Sequence, residues 1–291
     1  SVRPKVQRTG PWPAGDVDLS DILHPAPAAS EAALTFRDVS VRFEGLTALN
    51  ALNDSVQAGA VHGIIGPNGA GKSTLLNVIS GFYKVSEGSI TLFGERLDAH
   101  SNHAKAGIAR TFQNTELFGG MSLIDNVRAS FHYRSRANLL DALLRLPRQV
   151  REDRESLDRA KRLLAYVGLS DFADSLASNL PFGHQRRLEI ARALALGPRV
   201  LLLDEPAAGL THTEIEGLAL LIHDLATRGL TVVLVEHHFD LIVAVCDRVS
   251  VLDYGQLIAS GTPAEVQCHP RVREAYLGTV SAASALAESA A

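Results

Sequence analysis

The sequence predicts an α/β fold in which parallel strands alternate with helices and a helical segment interrupts the series. Three observations predict it. Short apolar runs, such as Val200-Leu201-Leu202-Leu203 and Thr231-Val232-Val233-Leu234-Val235, read as strands buried on both faces. Helical periodicity lies between them, clearest where Ile215, Leu218, Ile222 and Leu225 line one face of a helix from about Thr213 to Thr227. Residues 122–178 differ in texture. Arg148 to Arg162 is dense in alternating charge with a sparse apolar stripe at Leu157, Leu163, Leu164 and Val167, which predicts solvent-facing helices rather than sheet.

Taken in order, residues 1–33 hold Pro4, Pro11, Pro13, Pro25 and Pro27 in unpatterned, Ala-rich sequence, and read as an extended, poorly ordered arm. Leu34-Thr35-Phe36 and Val39 to Phe43 alternate as half-buried strands do. Val61 to Ile65 is an apolar strand that stops at a glycine-rich turn, and Lys72 to Ile79 continues with helical periodicity. A short strand ends at Arg110-Thr111-Phe112-Gln113, before an insertion over about 115–185. A helix (Gln185 to Leu196), a strand ending at Asp204, a helix, and a strand (Leu230 to Val235) follow. Another helix and a strand pair around Val249–Leu252 and Gln256–Ile258 close the core, and 280–291 is an Ala/Ser-rich tail.

Composition narrows the function. With 291 residues, 46% hydrophobic and 21% charged, the chain has the make-up of a soluble globular protein and excludes collagen-like or disulfide-scaffold classes. No apolar run approaches the roughly 20 residues of a membrane-spanning helix, so any membrane role runs through a partner. A net charge of −4 argues against a broad basic face for nucleic acid. Cys246 and Cys268 read as two reduced thiols.

Gly66-Pro67-Asn68-Gly69-Ala70-Gly71-Lys72-Ser73 fits the phosphate-binding loop G-x-x-x-x-G-K-[ST], set between a strand and a helix. Glycines let successive N–H groups turn inward toward phosphate oxygens, and the helix start adds positive potential. Lys72 reaches terminal phosphates and the Ser73 hydroxyl suits Mg²⁺, with Thr74 beside it. A plain helix-capping turn is the bland alternative, and the strand–loop–helix context disfavours it. Asp204 and Glu205 end an all-apolar strand, where two acids at the C-terminal sheet edge face the phosphate crevice. Asp204 then holds Mg²⁺ and Glu205 orients the attacking water. These halves of one site lie far apart in the chain, so the helical stretch separates them.

On these residues the sequence resembles the ATP-binding cassette family of transporter ATPases over about 34–279. The resemblance implies a P-loop NTPase core with an N-terminal antiparallel β subdomain and an inserted α-helical subdomain. It implies that Gln113 senses Mg²⁺ and faces a membrane partner, that His237 contacts the γ-phosphate, and that Phe43 stacks on adenine. Pro206-Ala207-Ala208-Gly209-Leu210 takes the place of the loop that meets a second subunit. More narrowly, Arg110-Thr111-Phe112-Gln113 with Leu117-Phe118, Arg186 to Leu194, Asp204 to Leu210, Gly261-Thr262-Pro263 and Ala275-Tyr276-Leu277-Gly278 resemble the ATPase subunits of branched-chain amino-acid uptake systems. ATP and Mg²⁺ are the implied cofactors. The implied partners are transmembrane permease subunits, a second ATP-binding subunit and, indirectly, a solute-binding protein, at the cytoplasmic face of the plasma membrane.

One departure carries a consequence. Where the family's signature usually reads Leu-Ser-Gly-Gly-Gln, this chain has Leu180-Pro181-Phe182-Gly183-His184. Pro181 brings neither hydroxyl nor N–H, while Gly183 and the following helix start remain as an anion site. A composite site using this signature is expected to be weaker than the one using this chain's own phosphate loop. Two alternatives stand beside the transport reading: a regulatory cassette that scarcely hydrolyses ATP, and a soluble cassette ATPase outside transport. His237-His238, as neighbours on an extended segment, are expected to point apart rather than bind a metal. His100 and His103 read as surface loop, and Arg186, Arg187 and Arg192 as a solvated helix face.

Overall fold

Two sheets of opposite character organise the chain, whose computed structural model describes residues 17–23, 32–98, 102–111, 117–134 and 147–275. The first is antiparallel. Strands β1 (Ala32–Phe43) and β2 (Leu46–Gln57) form a hairpin, and β4 (Glu87–Leu92) and β5 (Glu95–Arg96) extend it in the order β2-β1-β4-β5. The second runs β10-β9-β3-β8-β7-β6, comprising β3 (Val61–Ile65), β6 (Ile108–Arg110), β7 (Val200–Asp204), β8 (Thr231–Val235), β9 (Arg248–Asp253) and β10 (Gln256–Gly261). All its pairings are parallel except the edge hairpin of β9 and β10.

Every residue of β3, β7 and β8 is buried, as their uniform apolarity requires. Alternate side chains serve different cores. Leu201, Leu203, Val232 and Leu234 pack with the helices on one face, while Val200, Leu202, Val233 and Val235 pack with the antiparallel sheet and helix α1 (Lys72–Ile79) on the other. Each such side chain contributes roughly 1.5–3 kcal/mol on burial. A buried network ties the two sheets: Ser250 Oγ donates to Asp54 Oδ2 and lies 2.8 Å from His62 Nε2.

The insertion comprises α2 (Leu123–Arg134) and α3 (Pro147–Tyr166), followed in the chain by α4 (Phe182–Ala195), α5 (His212–Thr227), α6 (Phe239–Val245) and α7 (Pro263–Cys268). Helix α5 opens on a reciprocal capping box between Thr211 and Glu214, and α7 repeats the device with Thr262 and Glu265. Tyr166 fastens the insertion to the core: its buried hydroxyl donates to Asp224 at 2.8 Å, and Arg228 stacks on its ring.

The expectation of a poorly ordered arm over 1–33 is corrected in two places. Ala32 and Ala33 already belong to β1. Residues 17–23 form a packed turn, with Leu19, Ile22 and Leu23 buried and spaced so that all three face the protein. Asp21 receives hydrogen bonds from Arg159 and Arg162 of α3, and Arg228 donates to the Val17 carbonyl at 3.0 Å. The segment thus bridges the insertion and the core. Hydrogen bonding by Arg162 holds the Asp21 carboxyl below its usual range. His103 is also corrected: it is buried, with Nδ1 2.8 Å from the Ile79 carbonyl, because the loop folds back under α1. His100, the rest of the arm and the tail lie outside the described residues. Cys246 and Cys268 are both free thiols, and no described helix is long and apolar enough to cross a membrane.

Candidate functional site

Between β3 and α1 the chain turns through Gly66 to Gly71, and three glycines there are required by geometry. Gly66 has φ 155°, and a Cβ would collide with the Leu252 carbonyl. Gly69 has φ 80° with open space around it. Gly71, the N-cap of α1, has φ 100°, and its Cβ would stand 2.7 Å from the Ala48 carbonyl on β2. No side chain caps α1 and its first turn carries no acid, so the start of the helix offers its N–H groups to an anion. Pro67, Asn68 and Gly69 line the loop's outer side, Ala70 is buried beneath it, and Ser73 and Thr74 stand on the first helical turn. Lys72 Nζ folds over the loop, donating to the Gly66 and Pro67 carbonyls at 2.7 and 2.9 Å. Burial pushes its ammonium below the usual lysine range, while the nearby Glu205 and Asp204 pull it back.

The paired acids close the other side. Asp204 is the last residue of β7 and Glu205 follows with φ 46°, a left-handed backbone rare for a side chain of this size. Asp204 Oδ2 receives a hydrogen bond from Arg110 at 2.7 Å, both side chains being nearly buried, and Arg110 also donates to Asn77 Oδ1 of α1 at 2.6 Å. Arg110 was legible only as part of a motif; its position at the end of the apolar run Ile108-Ala109 is the signal that it must find a buried carboxylate. The oxygen donors of Ser73 and Asp204 are the hard ligands a magnesium ion takes, so the residues fit that group. Gln113 lies outside the described residues.

His237, at the mouth of β8, has Nδ1 3.9 Å from Glu205 Oε2 and 3.8 Å from Glu236 Oε2. The expectation that His237 and His238 point apart is corrected: their rings lie 4.4 Å apart, tilted by 36°. His238 is the N-cap of α6, and Glu236 draws both histidine N–H groups to one carboxylate oxygen, which brings the two rings to the same side. Glu236, His237 and His238 cluster closely enough to suggest a metal, but both Glu236 oxygens are taken by backbone N–H groups.

Phe43, at the end of β1, is 40% exposed and meets the Tyr83 ring edge-on at 5.0 Å. Gly183 belongs to a second cluster, at the start of α4. Pro181 is the N-cap, and its carbonyl accepts from His184 and Gln185. A Cβ on Gly183 would collide with the Glu214 carboxylate, and one on Gly209 would stand 3.0 Å from the Phe182 ring. The start of α4, the loop after Glu205 and the start of α5 therefore pack as one unit. The arginines here do not form a solvated face. Arg186 is buried and paired with Glu189, Arg187 donates to the Val167 carbonyl, and Arg192 stacks over Phe118. The insertion folds over that helix face and uses the guanidiniums to satisfy its own carbonyls and rings.

Comparison with known proteins agrees with this geometry. Residues 49–208 match the model of the ABC transporter family, and 256–282 match that of the branched-chain amino acid ATP-binding cassette transporter. The chain is 40% identical over 252 residues to the high-affinity branched-chain amino acid transport ATP-binding protein BraF of Pseudomonas aeruginosa. It is equally similar to LivG of Escherichia coli; each match covers 86% of this chain and 99% of the relative. Among solved structures, an ATP-binding cassette of an ABC transporter in its ADP conformation superposes with a TM-score of 0.74 at 30% identity, covering 85% of this chain and 99% of the other.

Proposed function

The chain belongs to the ABC transporter family of ATP-binding cassettes, and from that premise we propose that it hydrolyses ATP to drive an importer of branched-chain or other hydrophobic amino acids. The observation that carries the chemistry is the convergence of Lys72, Asp204, Glu205 and His237 at the C-terminal edge of one parallel sheet.

In this reading Gly66–Thr74 cradle the triphosphate through backbone N–H groups, and Lys72 exchanges its two carbonyl partners for phosphate oxygens. Ser73, Asp204 and Gln113 hold Mg²⁺, which when bound neutralises charge on the phosphates. Glu205 accepts a hydrogen bond from the attacking water and aligns it with the γ-phosphorus. His237 donates toward the charge developing there. Phe43 stacks on adenine from the β1–β2 hairpin. Gly183 and the start of α4 face the γ-phosphate held by a second ATP-binding subunit, identical or different, so each site is completed in trans. Closing on ATP and reopening after hydrolysis gives two states that permease subunits convert into transport. A solute-binding protein delivers the cargo, and the chain works as a peripheral subunit at the cytoplasmic face of the plasma membrane. Its similarity to BraF and LivG over nearly their whole length supports this assignment of cargo and partners.

The test is turnover of the purified chain against Glu205→Gln. Removing a general base costs on the order of 10²–10⁴ in rate, so turnover falls at least a hundredfold while ATP affinity stays within threefold. Equal rates would remove the hydrolytic reading.

A further inference from the structure

Glu236 has no part in the motifs, yet its side chain is wholly buried at the sheet's C-terminal edge. A carboxylate there is costly unless hydrogen bonds replace its water. Three backbone groups do so. Oε1 accepts from the Ala207 N–H at 2.7 Å, and Oε2 accepts from the N–H groups of His237 and His238 at 3.0 and 3.3 Å. One side chain therefore joins the loop after β7, which carries Glu205, to the loop after β8, which carries His237.

The consequence falls on Glu205. On one side its own N–H donates to the Val235 carbonyl at 2.9 Å; on the other, two residues along, Ala207 is held by Glu236. Between these anchors Glu205 adopts φ 46°. A left-handed backbone is strained for a residue with a Cβ, and it persists only where the surroundings over-determine it. Val235 ends β8 and Glu236 follows it, so one point at the end of that strand holds both flanks of the strained residue and the start of the histidine loop.

We propose that Glu236 is a positioning residue for hydrolysis: a bracket that holds Glu205 in its strained conformation and sets His237 opposite it. The inference rests on the hydrolytic roles given to Glu205 and His237. It explains why those side chains stand 3.9 Å apart, although one is only a quarter exposed and the other more than half. Without the bracket Glu205 relaxes toward ordinary φ, its carboxylate leaves the position that aligns water, and the phosphate cradle is untouched.

The experiment compares the full-length chain with Glu236→Gln, which keeps the shape and one acceptor oxygen but turns an N–H₂ group toward backbone donors. The expected result is a kcat about tenfold lower with KM for ATP within twofold. Hydrogen exchange is expected to rise about tenfold at 205–208 and 236–238, with peptides covering 61–79 unchanged. An unchanged kcat overturns the proposal. So does a loss of kcat accompanied by weaker ATP binding or by faster exchange throughout the core sheet, which marks a merely structural residue. If the variant does not fold, wild-type exchange decides: the Ala207 amide must be protected to the level of the flanking strands, and exchange at the rate of an exposed loop refutes the bracket. Glu205→Gln separates the two layers. Full turnover in that variant breaks the hydrolytic reading itself, whereas an inactive Glu205→Gln beside a fully active Glu236→Gln breaks the bracket alone.

Discussion

The phosphate cradle at 66–74 and the start of α4 at 181–184 are both helix N-termini shaped by glycine, but they owe their glycines to different neighbours. In the cradle, backbone presses on backbone: Gly66 lies against the Leu252 carbonyl and Gly71 against the Ala48 carbonyl. Neither neighbour can move without distorting a sheet. At α4 the neighbour of Gly183 is the end of a flexible side chain, Glu214, held by Thr211. One helix start is rigid and fixed by the sheets around it. The other is lined by a carboxylate that can turn aside, and it is capped by a proline with no donor. In the proposed reading, rigidity falls where nucleotide binds and adaptability where a second subunit docks.

Substitutions should reproduce that asymmetry. The largest effect is expected from Gly71→Ala, where a Cβ meets a fixed carbonyl at positive φ. Strain of about 1–3 kcal/mol would be relieved only by opening the loop, so ATP affinity should fall at least tenfold in a fluorescent-nucleotide titration. Unaltered affinity would show that the cradle yields. Gly183→Ala should be milder: turnover down a few-fold, binding by the isolated chain unaffected, and Glu214→Ala restoring turnover in the double variant. Additive loss in that pair would contradict the picture of a movable neighbour.

Pro181→Ser tests the same end from the side of gain. A hydroxyl at the N-cap is worth about 1 kcal/mol to a helix and gives the trans site a donor, so turnover of the dimer should rise two- to fivefold. No change would sink the idea that this signature is the weaker partner. The smallest effect is expected far from both sites. Asp21→Asn should lower the melting temperature by a few degrees at neutral pH and leave KM for ATP alone. Because hydrogen bonding by Arg162 holds the folded carboxyl below the ordinary aspartate range, its contribution is complete above that range and is lost as pH falls through the lowered value. The wild type and Asp21→Asn should therefore converge in stability in strong acid, and a gap that persists there would assign the effect to packing.

Much of the candidate site was legible because its signals are local. The phosphate loop carries its own glycines, and the strand ending in Asp204-Glu205 carries its own apolar run. The packed segment at 17–23 was hidden for the opposite reason. Leu19, Ile22 and Leu23 look like stray apolar residues in a proline-rich arm until Arg159, Arg162 and Arg228 arrive beside them. Arg186, Arg187 and Arg192 misled in the same way, since a run of arginines reads as solvated unless carbonyls and rings fold over it.

The sequence by itself determined the alternation of strand and helix, the cradle, the paired acids and the histidine, because periodicity and glycine spacing act within a few residues of chain. Only the tertiary structure decided that Arg110 pairs with Asp204, that Glu214 stands over Gly183, and that Glu236 joins the loops after β7 and β8. The reason is physical. A buried charge is stabilised by whatever donor the fold brings to hydrogen-bond distance, and that donor need have no fixed spacing along the polymer.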